Sequence, residues 1–172
     1  KEHVVVIDSV SKRYSMCGAR IGFVVTRNSA LRGAVLKFAQ ARLSPPTYAQ
    51  IASEAALDTE AHYFEEVLKE YSARRNFLVH ALQQISGVQT AIPKGAFYCI
   101  VKLPVKSAED FAQWLLEHFS LDNETVMVAP AAGFYSTKGL GEDEVRIAYV
   151  LEIDALKRAV HILEKGLEAY LA

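Results

Sequence analysis

At 172 residues the chain has room for one ordinary domain or two small ones. Apolar residues make up 51% and charged residues 23%, so a sizeable core can be buried and a disordered chain is excluded. Nineteen Lys and Arg against twenty Asp and Glu leave a formal charge of −1, without the basic excess that nucleic acid or a membrane surface would require of a partner. No apolar run approaches the ~18 residues that a bilayer span needs. Cys17 and Cys99 are too few for a disulfide framework, which points to a reducing, cytoplasmic setting.

The sequence opens on neither an initiator Met nor a signal segment. It enters the run Val4-Val5-Val6-Ile7 almost at once, a continuous β-branched stretch that reads as a strand buried on both faces, as in a parallel sheet. Such a strand needs neighbours on both sides, so the expectation is part of a longer chain whose sheet partners lie upstream. Ile21 to Val25 is a second strand. Asn28 or Ser29 caps a helix carrying Leu31, Val35 and Phe38, and Pro45-Pro46 stops it. Thr47 and Gln50 form a capping-box pattern for the next helix, with Ile51 and Ala55 on its inner face.

Residues 58–86 give the longest helical signal. Phe64, Val67, Leu68, Tyr71, Leu78, Leu82 and Ile85 mark one face, and Gly87 is a natural residue to follow the helix end. Beyond it, Phe97 to Leu103 is strand-like, and Ser107 with Asp110 opens a helix carrying Phe111, Trp114, Leu115 and Phe119. Val126 to Ala129 and Val145 to Val150 are further short strands. A terminal helix from Asp154 places Leu156, Val160, Leu163, Leu167 and Tyr170 on one face. Strands and helices alternate, which predicts a small α/β or α+β layer. The division expected is therefore residues 1–57, a connecting helix over 58–86, and a domain over 87–172.

Charge follows this division. Residues 1–57 hold eight Lys or Arg against three Asp or Glu, while residues 58–172 hold eleven against seventeen. A positive first third suits an anionic ligand such as a phosphate, or reflects exposed basic residues alone.

The chemistry concentrates just after the first strand, where parallel sheets place their ligand sites. Ser9, Ser11, Lys12, Arg20, Gly18 and Gly22 fall within one loop-like stretch. A Lys partly desolvated beside other cations becomes a nucleophilic amine. Hydroxyls with an Arg suit a phosphate dianion. A Schiff-base Lys beside a phosphate-binding Arg is what a pyridoxal phosphate site requires, although on the bare pattern a solvated loop Lys is the better reading.

Ser9-Val10-Ser11-Lys12 followed by Gly18-Ala19-Arg20-Ile21-Gly22 resembles the Schiff-base signature of class I aminotransferases, the aspartate aminotransferase superfamily of fold-type I pyridoxal phosphate enzymes. Lys94-Gly95-Ala96-Phe97-Tyr98, Pro130-Ala131-Ala132-Gly133-Phe134-Tyr135 and Val145-Arg146-Ile147-Ala148-Tyr149 continue it in family order. The resemblance implies an α/β fold: the end of the large domain, a long connecting helix and the small C-terminal domain. It implies pyridoxal 5'-phosphate as cofactor, Lys12 as the Schiff-base lysine and general base, and Arg20 with Ser9 and Ser11 on the phosphate. Arg146 would take the substrate α-carboxylate. Amino acid and 2-oxo acid would be the substrates of a homodimer, and Arg42, shortly before the paired prolines, would meet the distal carboxylate of a donor such as aspartate. The family's glycine-rich phosphate loop, its ring-stacking aromatic residue and its pyridine-nitrogen Asp belong upstream of the lysine. A fragment without them is expected to be inactive alone. A carbon–sulfur lyase of the same fold type, or an aminotransferase-like sensor domain of a transcription regulator, would share these residues.

The rest of the sequence carries less. His3, His62, His80, His118 and His161 lack metal-ligand spacing. Gly139-Leu140-Gly141 reads as a turn, and Cys17 has no base beside it in sequence.

Overall fold

The computed structural model describes residues 2–172; Lys1, from which the expected first domain begins, lies outside the described residues. The chain forms two compact units, one ending at Tyr63 and the other spanning Phe64–Ala172.

In the first unit, β1 (Val5–Ser9) and β2 (Gly22–Thr26) form an antiparallel ribbon with Val5 opposite Thr26 and Ser9 opposite Gly22. The β1–β2 pairing is antiparallel, not the parallel pairing expected from the valine run. Val6 is 48% exposed and Ile7 77%. An apolar run reports a preference for burial on both faces but carries no information on strand direction. Residues 10–21 hold no helix long enough to cross over the ribbon, and the chain turns straight back. Within them lie α1 (Val10–Arg13) and a 3-10 turn (Cys17–Ala19). Among the described residues of this unit only Val10 is buried.

Asn28 caps α2 (Ser29–Arg42), its side-chain oxygen accepting from Leu31 N–H at 3.0 Å. The helix ends before the prolines, at Leu43 with φ 72°. Helix α3 (Thr47–Ala55) follows without the expected capping box: Gln50 Nε2 donates instead to the Pro45 carbonyl at 2.8 Å, and Pro46 occupies the cap position. A 3-10 turn (Ala56–Asp58) then breaks the helical path, so α4 runs over Ala61–Gln83 rather than from residue 58.

The second unit is built on a four-stranded antiparallel sheet of order β3-β4-β6-β5, comprising β3 (Gln89–Thr90), β4 (Tyr98–Lys102), β5 (Ala129–Pro130) and β6 (Glu144–Ala148). Helices α5 (Ala108–Glu117) and α6 (Ile153–Leu171) join the C-terminal half of α4 over one face. Cys99, Val101 and Val145 of the sheet share the core with Leu78, Leu82, Phe111, Leu115, Leu156, Val160, Leu163 and Leu167. The amphipathic faces expected for α5 and α6 are therefore the buried ones. Ser107 caps α5 by accepting from Asp110 N–H. Gly166 lets α6 approach α5: a Cβ there would lie 2.7 Å from Leu115 Cδ2. Two readings shift. Leu68 is 66% exposed rather than facing the core, and of the run Val126 to Ala129 only Ala129 enters a strand.

Candidate functional site

Ser9 and Gly22 end and begin the paired strands, so everything between them is held at one end of the ribbon. Val10 N–H donates to the Ile21 carbonyl at 3.3 Å and closes this connection one residue further in. Gly22 tolerates little else, because a Cβ would sit 3.2 Å from the Asp8 carbonyl. Ser9, Ser11, Lys12 and Arg20 are thus gathered on one connection.

Buried Val10 roots α1 at its first residue. Ser9 Oγ accepts from Ser11 N–H at 3.3 Å and caps the helix, and its own hydroxyl hydrogen can still donate. Asp8 steadies the same turn, accepting from Ser9 N–H at 2.7 Å and from Arg13 Nη2 at 2.9 Å. These bonds, the Ser9 N–H first, hold the Asp8 carboxyl below its ordinary value of 3.8. Arg13 is taken up by this pair. Lys12, its neighbour on α1, is exposed.

Arg20 has left-handed backbone, φ 57°, and one guanidinium nitrogen, Nη1, donates to the Cys17 carbonyl at 3.0 Å. That bond folds the side chain over its own turn. Its other donors make no hydrogen bond among the described residues. An amine, two hydroxyls and a guanidinium on one exposed connection suit the carbonyl and phosphate groups of the cofactor that the sequence resemblance implies. Among the described residues no group of three or more His, Cys, Asp or Glu could hold a metal ion.

The other two candidates lie elsewhere. Arg42 is the last residue of α2, where a cation interacts favourably with the helix C-terminus. It is exposed and forms no ion pair among the described residues. Arg146 belongs to the second unit, on the inner strand β6, opposite Ile100 of β4 and Ala129 of β5. Its half-buried guanidinium carbon lies 4.6 Å from the ring centre of Tyr98 and 4.5 Å from that of Phe134. Sequence reading quoted both aromatic residues in their motifs but gave them no role. The alternation of β4 puts Tyr98 and Ile100 on one face, yet only the pairing register brings that face to Arg146.

Comparison with known proteins follows the same stretch. The family model described as aminotransferase class I and II matches residues 1–163. An aspartate aminotransferase of Pyrococcus horikoshii is 33% identical over 171 residues, covering 97% of this chain and 42% of that protein. An alanine aminotransferase from Pyrococcus furiosus superposes with a TM-score of 0.80 at 30% identity, over 96% of this chain and 42% of its own. An α-aminoadipate aminotransferase from Thermus thermophilus, solved with N-(5'-phosphopyridoxyl)-L-leucine, gives 0.82 at 28% identity, over 98% and 42%. The chain therefore spans about two fifths of the length of the relatives it matches.

Proposed function

The chain belongs to the aminotransferase class I and II family, and on that premise we propose that the whole protein carrying it moves an amino group between an L-amino acid and a 2-oxo acid with pyridoxal 5'-phosphate. The carrying observation is the closed connection between Ser9 and Gly22, which collects Lys12, the two hydroxyls and Arg20 at one end of the ribbon. The phosphopyridoxyl ligand of the Thermus thermophilus relative supports the choice of cofactor.

When bound, the cofactor supplies a carbonyl carbon for amine capture and an electron sink for the breaking Cα–H bond. Arg20 offers its free guanidinium edge, and Ser9 and Ser11 their hydroxyl hydrogens, to the phosphate. Lys12 Nζ is the covalent anchor and takes the proton that leaves the substrate Cα. Arg13 cannot stand in for it. A guanidinium is no amine nucleophile, and this one is tied to Asp8. Arg146 binds the substrate α-carboxylate, and Arg42 the distal carboxylate of a donor such as aspartate.

We assign residues 1–57 to the end of the large domain, 58–86 to a connecting helix and 87–172 to the small domain of a cytoplasmic homodimer. The 3-10 turn Ala56–Asp58 before α4 supports a boundary near residue 58. This chain alone is expected to lack turnover.

Lys12→Ala in the whole protein tests the reading. Transamination from aspartate or phenylalanine to 2-oxoglutarate should vanish while the circular dichroism spectrum stays that of the wild type. Substantial residual turnover would remove Lys12 from the mechanism.

A further inference from the structure

Arg146 is held unlike the other half-buried arginines of its unit. Arg74 donates to Glu70 and to the Val150 carbonyl, and Arg75 to Asn76 and the Pro93 carbonyl. Arg146 forms no hydrogen bond or ion pair among the described residues, and its guanidinium carbon lies against the rings of Tyr98 and Phe134. The two rings come from opposite sides of β6. Tyr98 lies on β4, and Phe134 ends the 3-10 turn Ala132–Phe134 that follows β5.

A ring face attracts a cation without accepting any of its N–H groups in the guanidinium plane. The edge therefore keeps its parallel donors, the arrangement that a carboxylate accepts at two points. An acidic partner would instead have consumed that edge and cancelled the charge. We infer that Tyr98 and Phe134 are positioning residues that clasp the Arg146 guanidinium and present its edge to the substrate α-carboxylate. The inference rests on the aminotransferase reading above and extends it to two residues.

Both rings are rooted in fixed backbone. Tyr98 lies on a strand paired to β6, directly opposite Ala148, and its ring centre is 4.5 Å from that of Phe97. The turn that carries Phe134 is closed by Phe134 N–H on the Ala131 carbonyl at 2.9 Å. Buried Ala131 donates its own N–H to the Glu144 carbonyl at 2.8 Å. Tyr135 Oη donates to Glu144 Oε2, tying the far side of the turn to β6. A guanidinium set this way has lost rotational freedom before its anion arrives, so less ordering remains to be done on binding.

The test uses the whole protein and two matched donor pairs: L-aspartate with β-alanine, and L-phenylalanine with phenethylamine, each amine lacking the α-carboxylate. Single-turnover rates are measured for wild type, Tyr98→Leu, Phe134→Leu and the ring-preserving Tyr98→Phe and Phe134→Tyr. Each leucine variant should bind the amino acids about tenfold more weakly, with the limiting rate nearly unchanged and the amines unaffected. Each ring-preserving variant should stay within about twofold of wild type. Equal losses for amino acid and amine, or no loss in either leucine variant, would overturn the clasp. Rotation about the Arg146 Nε–Cζ bond, followed by nitrogen-15 NMR, gives a readout independent of turnover. It should be slow in wild type and faster in Phe134→Leu, and equal rates would overturn the clasp. A wild type that turns over none of the four donors would instead overturn the aminotransferase reading, and the bond rotation would still decide the clasp.

Discussion

One carboxylate, Asp8, secures both ends of the short helix that carries Lys12, with Oδ1 on Ser9 N–H and Oδ2 on Arg13 Nη2. Its carboxyl is held below the ordinary 3.8 by those bonds, the Ser9 N–H contributing most. A depressed carboxyl stabilises the fold fully above its unfolded value and loses that contribution as pH falls through its folded value. In the whole protein, Asp8→Asn should therefore melt lower than wild type at pH 7, with the gap narrowing as pH falls below 3.8. Carboxyl-carbon NMR titration of Asp8 should give a midpoint under that value. A midpoint at or above it would contradict the role of these bonds.

Arg42 has no carboxylate partner among the described residues. In the whole protein Arg42→Ala should lower kcat/KM for aspartate selectively, because the distal carboxylate loses its cationic partner. Phenylalanine should be nearly unaffected. An equal loss for both donors would assign Arg42 to the end of α2 alone.

Gly141 has φ 73°, and a Cβ there would fall 2.5 Å from Tyr135 Cε2 and 3.2 Å from the Ala131 carbonyl carbon. Gly141→Ala should cost about 1–3 kcal/mol in denaturant unfolding. It should also push the Tyr135 ring off Glu144. Tyr135→Phe removes that hydrogen bond without the steric conflict, and its smaller loss would separate the two effects.

The two thiols should differ in reactivity. Cys17 is exposed, whereas Cys99 is buried on the core face of β4, where burial pushes its thiol up to about 11. At pH 8 a disulfide reagent should modify Cys17 readily and reach Cys99 only with unfolding. Two equivalents reacting at one fast rate in the native protein would contradict this.

Local signals were legible in the sequence. Ser107 with Asp110, and Asn28 before its helix, cap where the residue types require, and the apolar face of α6 is the buried one. The motif residues from Ser9 to Gly22 fall on one connection because they are adjacent in the chain. What escaped depends on pairing across the chain. Strand direction at Val5–Ser9 and the register that sets Ile100 opposite Arg146 are tertiary facts, absent from any window of residues. The Thr47 pattern failed because Pro46 takes the cap position and Thr47 becomes the first residue of the helix.

Arg146 and Lys12 are rooted in backbone of very different local strength. Arg146 springs from one of the two inner strands of its sheet, hydrogen-bonded on both sides and backed by an apolar core. Lys12 springs from a four-residue helix beside an exposed two-stranded ribbon. Within this chain, amide exchange should therefore be slowest along β6 and fast around α1. Mild heat or denaturant would then disorder the residues around Lys12 while the sheet that carries Arg146 still gave a native signal.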